Sequence, residues 1–311
     1  LASTKLENLY YLLFGHQRLT GGEEIEFGAD QVVIVKNQSA KETLPPVLRK
    51  EALCLTVFES KGLEFNDVLL FNFFSDSAFD NKWRAVNEYT DQYRRDADSD
   101  DNGHNADTNP SYVQPNNTKI LASELKFLYT AITRARENIW IYDSEQKIRK
   151  PMFDFFERRG LATVVQDDAM VSQSKATKSS TKEWKARGEN LLSKKLYSLA
   201  AQCFEKSGDV VLAKRCQGFT KANEGFSEQN QMQRKVLYLE ATKLFLDSEN
   251  YTEAATCLFE AGCYPQASKL FTALGDKQAV SVCKAKMNPD KEQKETKKKS
   301  KQTAQISWYA I

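Results

Sequence analysis

The stretch LCLTVFESKGLEFNDVLLFNF, residues 53–73, decides the fold. It holds two apolar runs, 53–57 and 68–73, on either side of a polar turn carrying Lys61, Gly62 and Glu64. Short apolar runs bounded by a glycine-bearing turn read as buried strands. Its counterpart downstream is ASELKFLYTAITRARENIWIYD, residues 122–143. There Leu125, Leu128, Tyr129 and Ile132 recur at helical spacing, Arg134 and Arg136 follow, and a β-branched and aromatic run from Ile139 to Tyr142 closes it. That order reads as helix, arginine-bearing turn, strand.

Working outward, QVVIV at 31–35 is a further β-branched strand, and residues 6–14 place Leu6, Leu9, Tyr10 and Leu13 on one face of a short helix ended by Gly21 and Gly22. Residues 36–50 are polar and hold Pro45 and Pro46, which predicts a loop before the next strand. Strands alternating with helices predict a parallel α/β sheet, in which ligands gather at the carboxyl ends of strands; the turn after Val57 sits at one such end. Residues 75–92 are polar with Phe79, Trp83 and Tyr89 interspersed, which suits surface helix. Residues 93–118, with the acidic run 96–101, hold too little apolar area to offset ordering and read as a disordered insertion. Residues 151–159 predict a helix opened by Pro151, and 161–165 a last strand.

The pair of boxes carries a resemblance. TVFESKGLEF (56–65) resembles motif V of the UvrD-like superfamily 1 helicases, and LYTAITRAR (128–136) resembles their motif VI, in the family's order and each beside a predicted strand. A helicase-like region followed by helical repeats is similar to the TPR and ankyrin repeat-containing protein family. The resemblance implies the second RecA-like domain over 1–170. The resemblance also implies a first domain upstream that holds the nucleotide; this chain itself contains no GxxxxGK[ST] phosphate loop. It implies ATP as cofactor, with Mg held by that upstream domain, and single-stranded DNA or RNA as a partner.

Residue by residue, Arg134 matches the motif VI arginine that reaches the γ-phosphate across the cleft. A guanidinium there is worth on the order of a thousandfold in rate, since it neutralises charge that develops in the transition state. Glu64 matches the ribose-binding glutamate of motif V, and Gly62 lets backbone approach the ligand. Lys61, beside the turn, suits nucleotide phosphate, strand phosphate or plain solvation. Thr56 and Thr133 match strand-facing positions. Where the family usually carries histidine this chain has Phe58, which fits either a base-stacking aromatic or a core residue.

Beyond the linker-like residues 171–183 the pattern becomes helical alone. Residues 200–216 and 254–271 match on small residues: Ala201 with Ala255, Cys203 with Cys257, Gly208 with Gly262, Ala213 with Ala267. Small residues let paired helices approach and a glycine turns the chain between them, so 184–286 predict stacked, TPR-like helical hairpins that bind a protein partner. Residues 287–311 form a lysine-rich tail.

The totals bound these readings. A chain of 311 residues with 41% hydrophobic content suits two domains, and a net charge of +2 confines any basic footprint to a local patch. Six cysteines without a CxxC pair read as reduced, buried thiols in an intracellular chain, nuclear or cytoplasmic. Two histidines without ligand spacing exclude a zinc site. No apolar run of about 18 residues predicts a membrane span. The chain opens on Leu-Ala-Ser-Thr, which suits a piece of a longer protein. Two functions follow: half of an ATP site and nucleic-acid track in a helicase-like ATPase, or a decayed helicase-like scaffold whose repeats hold protein partners.

Overall fold

The computed structural model describes residues 2–3, 27–77, 83, 85–86, 115–163 and 178–288, with backbone alone over 2–3 and 115–118. The chain divides into two compact units, Leu1–Ser180 and Thr181–Ile311.

In the first unit β1 (Ala2–Ser3), β2 (Gln31–Val35), β3 (Leu53–Thr56), β4 (Phe65–Phe71) and β5 (Ala135–Tyr142) form one sheet in the order β1-β5-β4-β2-β3. Every pairing is parallel. Parallel sheets are covered on both faces, which is why β2 is apolar without alternation from Val32 to Val35 and buried throughout. On one face Val33, Val35, Cys54, Leu69, Phe71, Trp140 and Tyr142 join Ala40, Leu44 and Leu48 in a single core. The alternate residues Val32, Ile34, Val68 and Leu70 are each 0% exposed on the other face. Burying each such side chain contributes roughly 1.5–3 kcal/mol.

Residues 36–50 are not the expected loop but two short helices, α1 (Gln38–Glu42) and α2 (Pro46–Glu51). Asn37 caps α1 by accepting from the Ala40 amide at 2.9 Å, and Pro46 opens α2 where its missing N–H costs nothing. Helix α3 (Pro115–Ile132) begins inside the expected insertion, so the bound at 118 is corrected to before Pro115; residues 93–114 lie outside the described residues. Helix α4 (Gln146–Arg158) carries Pro151 inside rather than at its start. No strand forms at Leu161, which is 67% exposed, while Val164 and Val165 lie outside the described residues. Trp83 is fully buried, edge-on to Phe74 at 5.1 Å. The expected helix at 6–14, the aromatics Phe79, Tyr89 and Tyr93, the linker over 171–177 and the tail from 289 also lie outside the described residues.

The second unit is helical: α5 (Thr181–Ser193), α6 (Tyr197–Lys206), α7 (Val210–Ser227), α8 (Gln231–Asp247), α9 (Tyr251–Glu260), α10 (Tyr264–Ala273) and α11 (Lys277–Met287). Each packs on the next. The matched small residues occupy equivalent places: Ala201, Cys203, Ala213, Ala255, Cys257 and Ala267 are all buried. Gly208 and Gly262 turn the chain with φ of +76° and +75°, a left-handed conformation that costs other residues about 1 kcal/mol or more. After each, the next amide closes back on the helix, Asp209 N–H to the Phe204 carbonyl and Cys263 N–H to the Leu258 carbonyl. Burial pushes the thiols of Cys54, Cys203 and Cys257 up to about 12, so they stay protonated and pack as small apolar groups. Among the described residues no helix is long and apolar enough to cross a membrane.

Candidate functional site

Strand β3 ends at Thr56, level with Val35, whereas β4 begins at Phe65, paired with Ala135. Because these strands run the same way, the segment 57–64 must travel from the carboxyl edge of the sheet back to its amino edge. Phe58 therefore lies at the carboxyl end, as the sequence suggests, but Gly62 and Glu64 lie at the amino end, beside Arg134 and the start of β5. That corrects the expectation that the whole turn sits where ligands of open α/β sheets gather.

At the carboxyl edge Thr56 and Glu59 bond reciprocally. The Thr56 hydroxyl accepts from the Glu59 amide at 3.1 Å, and the Glu59 carboxylate accepts from the Thr56 amide at 2.7 Å. This is the reciprocal cap of a helical turn. Lys41 holds the same carboxylate at 3.0 Å. Thr56 is 6% exposed and shapes the turn from within, while Phe58 projects at 81% exposure and is no part of the core.

At the amino edge Gly62 takes φ +78°, and the next residue offers its carbonyl to Arg134: Nη1 donates to the Leu63 oxygen at 3.0 Å. Nε donates to the Thr130 carbonyl at 2.9 Å and Nη2 to the Thr133 hydroxyl at 3.1 Å. The Thr133 hydroxyl in turn donates to the Tyr129 carbonyl at 2.9 Å. Three of five guanidinium N–H groups are thus spent, one on the residue after the glycine bend and two on the helix end that precedes Arg134, and two remain. Among the described residues Arg134 has no carboxylate partner within ion-pair distance. Glu64 is exposed and paired with Arg136 at 3.1 Å, and Lys61 is exposed.

Two contributors escaped sequence reasoning. Arg136 engages Glu64, which no spacing rule announces across a sequence separation of 72. Asp67 accepts from Gln31 at 2.7 Å and from Asn138 at 2.8 Å, tying β2, β4 and β5 together at the same edge. The arrangement presents a braced cation, a bend open to close approach and a carboxylate within one corner of the sheet. No group of three or more His, Cys, Asp or Glu suited to a metal ion occurs among the described residues.

The repeat unit has a cleft of about 310 Å³ between α9, α10 and α11, walled by Phe259, Phe271 and Val282, with Asp276 and Gln278 also lining it. Asp276 caps α11 by accepting from the Ala279 amide at 2.9 Å. A volume near the lower end of the ligand range suits a single apolar side chain better than a nucleotide.

The chain is 36% identical over 287 residues to TPR and ankyrin repeat-containing protein 1 of Homo sapiens, covering 88% of this chain and 10% of that protein. This chain thus spans about a tenth of that relative's length. No family model matches, so the helicase likeness rests on the two boxes themselves. No solved structure matches.

Proposed function

We propose, taking as premise the relative whose name carries TPR and ankyrin repeats, that this chain is a helicase-like α/β scaffold whose helical repeats bind a protein partner. The observation that supports this reading is the apolar cleft between the last three helices. There Phe259, Phe271 and Val282 line a space suited to an apolar anchor on a peptide, with polar groups at hand for its backbone. Peptides selected from a random library on the 311-residue chain should weaken at least tenfold on Val282→Arg, read by fluorescence anisotropy. Failure to select any binder, or equal affinity for the variant, refutes the assignment.

A second reading draws on Arg134. A guanidinium braced against the Gly62 bend, with two N–H groups to spare and no carboxylate partner among the described residues, suits a γ-phosphate brought by an upstream RecA-like ATPase domain. ATP would then meet Arg134 through its phosphates, Gly62 at the bend and Glu64 at the ribose, with Lys61 close by. Mg would belong to that upstream domain. Phe58 and Thr133 would contact single-stranded DNA or RNA, with Thr56 holding the turn from which Phe58 projects. In a longer protein containing both domains, Arg134→Ala should cut ATP turnover on the order of a thousandfold with little loss of nucleotide affinity. Equal turnover of the two proteins removes the nucleotide role and leaves the scaffold.

A further inference from the structure

Helix α8 is apolar on two opposite faces. One face, with Leu237, Tyr238, Ala241 and Phe245, is buried within its own unit. On the other, Met232, Val236, Leu239 and Leu246 are 77%, 45%, 39% and 40% exposed. With the exposed Lys243 they advance by alternating steps of four and three residues. At about 100° per residue these five positions fall within roughly 80° of arc, diametrically opposite the buried face. Such spacing is the seam of a two-stranded coil, with Val236 and Lys243 alternating with Met232, Leu239 and Leu246. The seam is ordered from its first turn, because the Asn230 side chain accepts from the amides of Met232 and Gln233. Its helix therefore requires no folding on association, which removes much of the usual ordering cost.

Charge decides what covers it. Lys235 and Glu240 are exposed on opposite shoulders of the seam. They stand five residues apart, the separation that brings flanking charges together between two parallel, in-register helices. Lys235 makes no ion pair among the described residues. Glu240 meets Lys221 of α7 at a loose 3.6 Å, which leaves its carboxylate free to accept from a second ammonium. A single lysine within an apolar seam is also the device that sets register and restricts strand number at some cost in affinity.

We propose that a second copy of this chain docks along α8, parallel and in register about a two-fold axis. Leu239 packs on Leu239 of the other copy, and Lys235 of each copy pairs with Glu240 of the other. The contact is isologous and closes at two. It lies on α8, away from the residues of the partner cleft, and stands whether or not that reading holds. The seam spans about 21 Å, so the dimer is weak and forms as concentration rises.

Sedimentation velocity of the 311-residue chain from about 1 to about 500 µM should show mass rising from 35.4 kDa toward twice that value. Leu239→Glu should move the midpoint at least tenfold upward and Lys243→Leu at least tenfold downward, with unchanged far-ultraviolet circular dichroism. Lys235→Glu and Glu240→Lys should each weaken the dimer several-fold, and the two together should restore it. In a Cys263→Ser background, Met232→Cys and Leu246→Cys should each crosslink to themselves. Crosslinking solely between one variant and the other shows an antiparallel pair and overturns the arrangement. A chain monomeric throughout the range, or a dimer indifferent to Leu239→Glu, overturns the seam. So does a monomer in which Leu239→Glu exposes residues 289–311 to protease, since the chain's own tail then fills it.

Discussion

The sheet unit and the repeat unit solve the same burial problem at different ranges along the chain. In the sheet, Asp67 binds Gln31 at a separation of 36 residues and Asn138 at 71. In the repeats, side-chain ties span 12 residues for Gln217 with Glu205, 24 for Lys185 with Asp209 and 33 for Lys214 with Asp247. Long-range ties mean that no strand of the sheet is stable until several distant segments have met, whereas each helical hairpin answers mainly to its neighbours. The corner around Arg134 belongs to the first kind: strand register brings the Gly62 bend and the arginine together.

The strongest way to break this contrast is to truncate the centre of the sheet. Ile34→Ala in β2, a fully buried residue between β3 and β4, should cost about 3–4 kcal/mol in urea denaturation. Hydrogen exchange should locate the loss across β2, β3, β4 and β5 together. Loss confined to β2 would contradict cooperative register.

A core change in the repeats should act more locally. Gly218 lies so close to Phe245 that a Cβ there would meet the ring at 2.8 Å. Gly218→Ala should therefore cost about 1–3 kcal/mol, with raised exchange concentrated in α7 and α8. Adding Phe245→Leu should recover part of that cost, and strictly additive losses would show that the close approach is not the cause.

The smallest effect sharpens the comparison at a turn. Glu249 holds φ +59° at a joint whose counterpart in the other repeat is Lys195 at φ +60°, neither of them glycine. Glu249→Gly should stabilise the repeat unit by about 0.5–1 kcal/mol, read as a rise in denaturant midpoint with unchanged slope. Destabilisation would mean that the joint depends on the glutamate side chain and not on backbone conformation.

Much of the fold was legible because its signals are local. The β-branched run at 31–35, the apolar runs flanking the 57–64 turn and the run ending at Tyr142 each form a buried strand. The matched Gly208 and Gly262 mark equivalent joints. The polar stretch at 36–50 was misleading: proline excludes helix from within, yet Pro46 starts one. Pro151 erred the other way, tolerated inside α4 where it reads as a first residue.

By itself the sequence determined that a parallel sheet precedes stacked helices, since apolar period, turn residues and small-residue repeats act within a few positions of one another. Tertiary structure alone decided which edge of the sheet receives the Gly62 bend, that the Thr56 hydroxyl is consumed by Glu59, that Arg136 holds Glu64, and that α8 shows a second apolar face outward. Each of these depends on strand direction or on which side of an element its neighbours cover. Periodicity tells which residues share a face; packing tells whether that face meets protein or water.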